Sequence, residues 1–319
     1  MGRIPALDGL RGVAIALVLA MHFSADRIPG GFVGVELFFV LSGFLITGVL
    51  LRPSNTLGHF YARRARRLLP ALFIALGLAW LGWRGAGFLS AAWPAVSYCT
   101  DIVAMYDHQR FGPLLVTWSL SVEEQFYFVW PFVLPLLRRD ARLVMALAVV
   151  AAVARRILAP NYFSPLCHLD AIFAGCALAL TPKVPRARVG ALLAVVGLVP
   201  VLLIAQHESL AYWTSPAPVL VTLGACALLC EACASGSLVA RALSGRPLRW
   251  LGERSYGIYL YHMMIHALLA PLHGAVPTAL LLVARFALTL LVADVSFRWI
   301  EQPILTGVRP VFLAARVSH

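Results

Sequence analysis

Apolar residues fall along this chain in blocks of fifteen or more with few or no charges, among them 68–83, 190–205 and 216–230. A helix needs about 20 such residues to cross a bilayer, and fewer where polar ends reach the interface. The blocks predict ten spans: 7–23, 32–51, 68–84, 118–137, 143–159, 166–181, 188–206, 217–234, 255–272 and 277–299. The expected fold class is all-α, a polytopic integral membrane bundle of about ten transmembrane helices. It is read as a single domain over 1–319, with no appended soluble domain. Residues 85–117 interrupt the pattern. They are half polar (Ser90, Ser97, Thr100, Asp101), and the order of the basic loops leaves no room there for a simple crossing. A surface segment on the outer side, or a re-entrant hairpin, is expected instead.

Composition supports the membrane reading. Of 319 residues 61% are hydrophobic and 13% charged, whereas soluble chains run near half apolar and a quarter charged. The net charge of +12 comes from 26 basic and 14 acidic residues. In a soluble protein it would point to nucleic acid. Here the basic residues gather in short loops: Arg3, Arg63 to Arg67, Arg138-Arg139, Lys183 to Arg188, Arg241 to Arg254 and the tail. That is the pattern of cytoplasmic loops, so both termini are expected inside and no nucleic-acid partner is implied. The cysteines mark no disulfide framework, and Cys230-x-x-Cys233 lacks the βαβ setting of a redox site.

Charged residues inside spans are costly and normally face a cavity or a partner. Arg11 and His22 are eleven positions apart, which returns them to within about 20° of one helix face, about 16 Å apart along the axis. One polar stripe down one cavity is the functional reading; a snorkelling arginine and an interfacial histidine is the plain one. Glu36, a few residues into the second span, lies at about the expected depth of His22. Arg63, Arg64, Arg66 and Arg67 form two R-x-x-R pairs, each with its arginines on one helix face. They suit phosphate contacts, or serve only to set topology. Glu123 and Glu124 open the fourth span, expected near its outer side, and point about 100° apart. His168 and Asp170 enter the sixth span, and His262 and His266 share a face of the ninth. No third ligand accompanies that histidine pair, so no metal is expected.

Taken in order, these pieces resemble a known family, the bacterial integral-membrane O-acyltransferases of acyltransferase family 3. The resemblance rests on IPALDGLRG with Arg11-x10-His22, GGFVGVELFFVLSGFLIT, FYARRARRLLPAL, TWSLSVEEQFYFVWP, HLDAIFAG, SYGIYLYH and RWIEQP. It covers essentially the whole chain. It implies ten core helices and transfer of an acyl group, often acetyl, from acyl-CoA to a hydroxyl of a carbohydrate or glycosylated acceptor. It also implies a multi-pass protein of the bacterial cytoplasmic (inner) membrane. Within that resemblance His22 and Arg11 are the catalytic motif, Arg63, Arg64, Arg66 and Arg67 hold the donor, and His168, Asp170 and His262 are candidate acceptor contacts. One departure is His168, which stands where the family pattern carries arginine.

The chemistry fits these residue types. Acyl transfer needs a base for the acceptor's hydroxyl proton, and imidazole titrates near neutrality. A carboxylate on its other nitrogen would fix the tautomer; Glu36 or Glu123 is the expected partner. Arg11 would steady a developing negative charge or part of the donor. A covalent acyl-histidine is a second route to the same product. The rival class is a transporter or flippase of an anionic or glycan substrate, since intramembrane charges also mark transport paths. A non-catalytic membrane scaffold is the third reading.

Overall fold

The structure, a computed structural model, describes residues 4–23, 28–53, 56–83, 87–158, 161–182 and 209–307, with a few positions between 192 and 205. The described residues form helices and no named strand. In chain order these are α1 (Pro5–Phe23), α2 (Val33–Leu50), α3 (Leu57–Gly82), α4 (Gly87–Val96), α5 (Thr100–Asp107), α6 (Thr117–Leu136), α7 (Ala141–Leu158) and α8 (Leu169–Leu180). There follow α9 (Leu210–Thr214), α10 (Ala217–Cys233), α11 (Leu238–Leu243), α12 (Arg246–Glu253), α13 (Ser255–Leu268) and α14 (Thr278–Ser296). A π turn, Phe297–Glu301, then leads into α15 (Gln302–Thr306). Pro5–Phe23, Pro29–Leu50, Leu57–Gly82 and Thr278–Thr306 are long and apolar enough to cross a membrane. Phe73, Phe132, Val149, Leu220 and Val283 are exposed on the outside, where lipid tails solvate them as well as a core would. The protein is an all-α polytopic membrane bundle.

Eight of the expected spans fall on α1, α2, α6, α7, α8, α10, α13 and α14 within a few residues. All but a few positions of the expected span 188–206, with the loop Lys183 to Arg188, Arg3 and the basic tail, lie outside the described residues. The third span begins earlier than expected, at Leu57 rather than 68. Thr56 caps it, accepting from the His59 N–H at 3.2 Å, and arginine is a good helix former. The cluster Arg63 to Arg67 is therefore helical, and its side-chain directions are set by α3.

Residues 87–116 of the interrupting segment form a hairpin that packs against α6. Its tip is pinned to α6: Gln125 Nε2 donates to the Tyr98 carbonyl at 2.8 Å and to Asp101 Oδ1 at 2.9 Å. The Thr100 N–H donates to Ser121 Oγ at 3.2 Å. Tyr98 makes the turn with φ 54°, a left-handed conformation that these bonds must hold against its steric cost.

Two close approaches place the site helices. A Cβ on Gly43 would overlap the Ile172 carbonyl of α8, and one on Gly175 would overlap the Val40 carbonyl of α2. Glycine at both points lets α2 and α8 touch backbone to backbone. Gly12 does the same for α1 against α12, where a Cβ would overlap the Leu248 carbonyl.

Candidate active site

Helices α1, α2, α3, α6 and α13 line a partly open cavity of about 180 Å³. Its polar wall carries Arg11, Arg64, Arg67, Glu123, Tyr127 and Tyr259; much of the rest is aliphatic or phenyl. Arg64 and Arg67 reach it because they continue the inward face of α3, whose buried residues are Phe60, Leu68, Ala71, Leu72, Ala75 and Ala79. Arg63 and Arg66 point away and are exposed, Arg63 donating to His59 Nε2 at 2.5 Å. The structure thus separates the two R-x-x-R pairs, and only Arg64 with Arg67 lines the cavity.

The three cavity arginines are not equivalent. Arg64 is committed: its Nε donates to both oxygens of Glu124 at 3.0 and 3.1 Å, its Nη2 also meets that carboxylate, and its guanidinium lies 3.7 Å over the Tyr127 ring. Arg11 and Arg67 have no hydrogen-bond partner among the described residues. Glu123 accepts from Ser42 Oγ at 2.6 Å. Guanidiniums crowded into a low-dielectric space repel one another, and an anion there would relieve that cost. Donors this weakly hydrated and preorganised suit phosphate.

Glu123 and Glu124 do not lie near the end where α2 begins and where His22 sits, as the hydropathy pattern suggested. Ser42 is nine residues into α2, about 14 Å down its axis, and Glu123 is level with it. The hairpin explains the depth, since it occupies the space at that end and starts α6 deeper.

Tyr259 and Ser119, both in the cavity lining, share a hydrogen bond of 2.7 Å. His22 does not line the cavity. Arg11 and His22 do share α1, but the cavity holding Arg11 ends short of the histidine. His22 Nδ1 is 3.0 Å from the Val18 carbonyl oxygen. A carbonyl only accepts, so Nδ1 carries hydrogen. Neither carboxylate expected to orient His22 is placed on it: Glu123 accepts from Ser42, and Glu36 meets His168. His262 packs on His22 with ring centroids 4.8 Å apart.

His168, Glu36 and Asp170 are not brought to the cavity. His168 is wholly buried; its Nδ1 meets Glu36 Oε1 at 2.6 Å and its Nε2 meets the Tyr162 carbonyl at 2.8 Å. Phe39, Trp118, Tyr162 and Trp213 surround its ring with centroids at 4.9 to 5.7 Å. Because Nε2 must donate to the carbonyl, the Nδ1–carboxylate contact shares a single proton. Asp170 is held by Arg155 of α7, whose Nη1 lies 2.8 Å from both carboxylate oxygens and 3.2 Å from the Cys167 carbonyl. These contacts tie α2, α7 and α8 together. Sequence reading passed over Arg155, Tyr127 and Tyr259. The signal for Arg155 was Asp170 itself, a buried carboxylate that requires a cation.

That buried pair carries a stability prediction. Asp170→Ala strands Arg155 in the core and costs about 3–5 kcal/mol, whereas removing both charges together costs far less. Thermal unfolding of Asp170→Ala beside Arg155→Leu/Asp170→Leu in the same detergent measures the difference. Equal losses would show that the pair contributes nothing as a pair.

With this geometry in place, comparison with known proteins is direct. A family model described as an acyltransferase domain, that of acyltransferase family 3, matches residues 4–298. The chain belongs to that family. Among its relatives, the peptidoglycan O-acetyltransferase OatA of Listeria monocytogenes is 32% identical over 94% of this chain and 56% of its own length. The O-acetyltransferase OatA of Staphylococcus aureus is 26% identical over 94% of this chain and 57% of its own. This member of the acyltransferase family thus spans a little over half the length of the curated relatives it matches. No solved structure matches it significantly.

Proposed function

We propose that this protein is a membrane O-acyltransferase that moves an acyl group, acetyl in the first instance, from acyl-CoA to a hydroxyl of a carbohydrate. The name of the Listeria relative points to a peptidoglycan-type glycan as the acceptor class. The observation that carries the reading is the cavity with two guanidiniums without hydrogen-bond partners among the described residues, Arg11 and Arg67, on the helix that carries His22 and on α3. Donor phosphates bind at Arg67 and Arg11, while Arg64 is held by Glu124. The pantetheine arm then covers the distance of about 16 Å along α1 to His22. There the acceptor oxygen bonds to the thioester carbon, the C–S bond breaks with its electrons on sulfur, and His22 Nε2 takes the hydroxyl proton. That proton ends on the thiolate, so the donor leaves as free thiol. The protein resides in the bacterial cytoplasmic membrane as a multi-pass protein, with both termini on the cytoplasmic side, following its basic loops.

The test uses the purified chain in lipid nanodiscs with acetyl-labelled acetyl-CoA and a soluble glycan acceptor. Thiol release that depends on the acceptor, with label on the glycan, is the expected result. Label taken up by sealed vesicles without thiol release would establish transport instead.

A further inference from the structure

Tyr259 and Ser119 both line the arginine cavity. Among the described residues, the one hydrogen bond that either hydroxyl makes is the 2.7 Å bond between them. Each hydroxyl carries one hydrogen. Their mutual bond uses one of the two, so the pair as a unit holds a second O–H with no acceptor. Ser119 is buried, and Phe38 packs its ring edge-on to Tyr259 with centroids 6.4 Å apart. A polar hydrogen kept without a partner in such a wall is costly, and such groups are rare unless a bound molecule uses them. A tie between α6 and α13 alone would need no surplus O–H.

Helix α13 fixes where that pair stands. Tyr256 Oη donates to the carbonyl of Leu68 at 3.1 Å, and Leu68 follows Arg67 in α3. Tyr259 comes one turn later on α13, and His262 one turn after that. The His262 ring lies 5.7 Å from that of Tyr259 and 4.8 Å from that of His22. Each of these steps climbs about 4.5 Å. Along α13 the tyrosine therefore stands between the arginine end and the histidines, in the stretch a pantetheine arm would cross. We propose that the Ser119–Tyr259 pair stabilises the oxyanion of acyl transfer, its surplus O–H bonding to the thioester carbonyl oxygen of the acyl donor. The inference rests on the reading of the protein as an acyl-CoA-dependent transferase with His22 as base. As the acceptor oxygen bonds to the acyl carbon, the C=O π pair moves onto the carbonyl oxygen and the hydroxyl proton moves to His22. The O–H then faces an anion instead of a neutral carbonyl, and its bond strengthens. When C=O re-forms, the C–S bond breaks with its electrons on sulfur, and the thiolate collects the proton from His22. The second hydroxyl holds the first in place and, by donating to it, makes it the stronger donor.

Tyr259→Phe, Ser119→Ala and the double variant test this in the purified, nanodisc-embedded chain. Either single change leaves one hydroxyl able to donate but without its support, and is expected to lose about tenfold in kcat. The double change removes the O–H altogether and should lose about 10²–10³-fold. The probe for binding is the ketone analogue of acetyl-CoA in which CH2 replaces sulfur, which keeps the carbonyl and cannot transfer. Its Kd should stay within about threefold of the parent value in all three variants, because the O–H acts on charge that only the reaction develops. Two results overturn the inference. One is kcat of the double variant within about threefold of the parent. The other is a Kd for the ketone that rises with kcat intact, which makes the pair a binding contact of the pantetheine arm. If the double variant does not fold by its thermal unfolding profile, Ser119→Thr carries the comparison. Threonine keeps the hydroxyl and should hold kcat near the parent where alanine loses it; equal losses overturn the inference. Failure of the underlying reading looks different, because the parent then releases no thiol from acetyl-CoA, or His22→Ala retains transfer.

Discussion

His22→Ala abolishes acyl transfer while donor binding survives. A positioned general base contributes about 10²–10⁴-fold, so kcat should fall by at least two orders of magnitude. The Kd for acetyl-CoA, measured calorimetrically in nanodiscs, should stay within about twofold, because the phosphate grip lies about 16 Å away along α1. Transfer within tenfold of the parent would remove His22 from the chemistry. The same preparation separates direct transfer from a covalent route. Labelled donor without acceptor leaves label on the parent protein only if an acyl-histidine forms, and His22→Ala then loses that label.

Arg67→Ala acts on the other end of the site. A hydrogen bond to a charged group is worth about 1.5–3 kcal/mol, so loss of this uncommitted guanidinium should raise the donor's KM by about 10–100-fold with a smaller effect on kcat. Arg11→Ala should behave alike. Arg63→Ala and Arg66→Ala, which alter side chains outside the cavity, should leave donor KM within about twofold. The contrast between residues one position apart on a single helix is the point of the experiment. A topogenic cluster would respond to the number of charges removed, whichever face they occupy. If Arg63 and Arg66 prove the sensitive pair, the anion site lies at the surface and not in the cavity.

Much of this fold is legible in hydropathy, because lipid demands long apolar helices and leaves few alternatives. What hydropathy does not carry is depth and partner. Arg64 and Arg67 could have been told from Arg63 and Arg66 by extending the period of Phe60, Leu68, Ala71 and Ala75 back through the cluster. That requires treating the basic loop as helix, and Thr56 was the overlooked cap. The depth of Glu123 depends on a hairpin stitched to α6 by Gln125, a contact between segments with no shared pattern. Glu36 was matched to His22 by depth alone. Its actual partner, His168, is 132 positions distant and was displaced from view by the arginine the family pattern carries there. The site's outline was readable, its pairings were not.

The Glu36–His168 contact has one more consequence. With Nε2 bound to the Tyr162 carbonyl, a single proton belongs to the carboxylate–imidazole couple. Whether that proton rests on oxygen or nitrogen, the couple as a whole is electroneutral. A fixed charge in the membrane's interior would feel the transmembrane voltage, at about 2.3 kcal/mol per charge per 100 mV. This joint offers the field nothing to pull on. The clamp between α2 and α8 is therefore expected to hold equally in energised and de-energised cells, leaving the arginines at the other end as the charges that voltage can address.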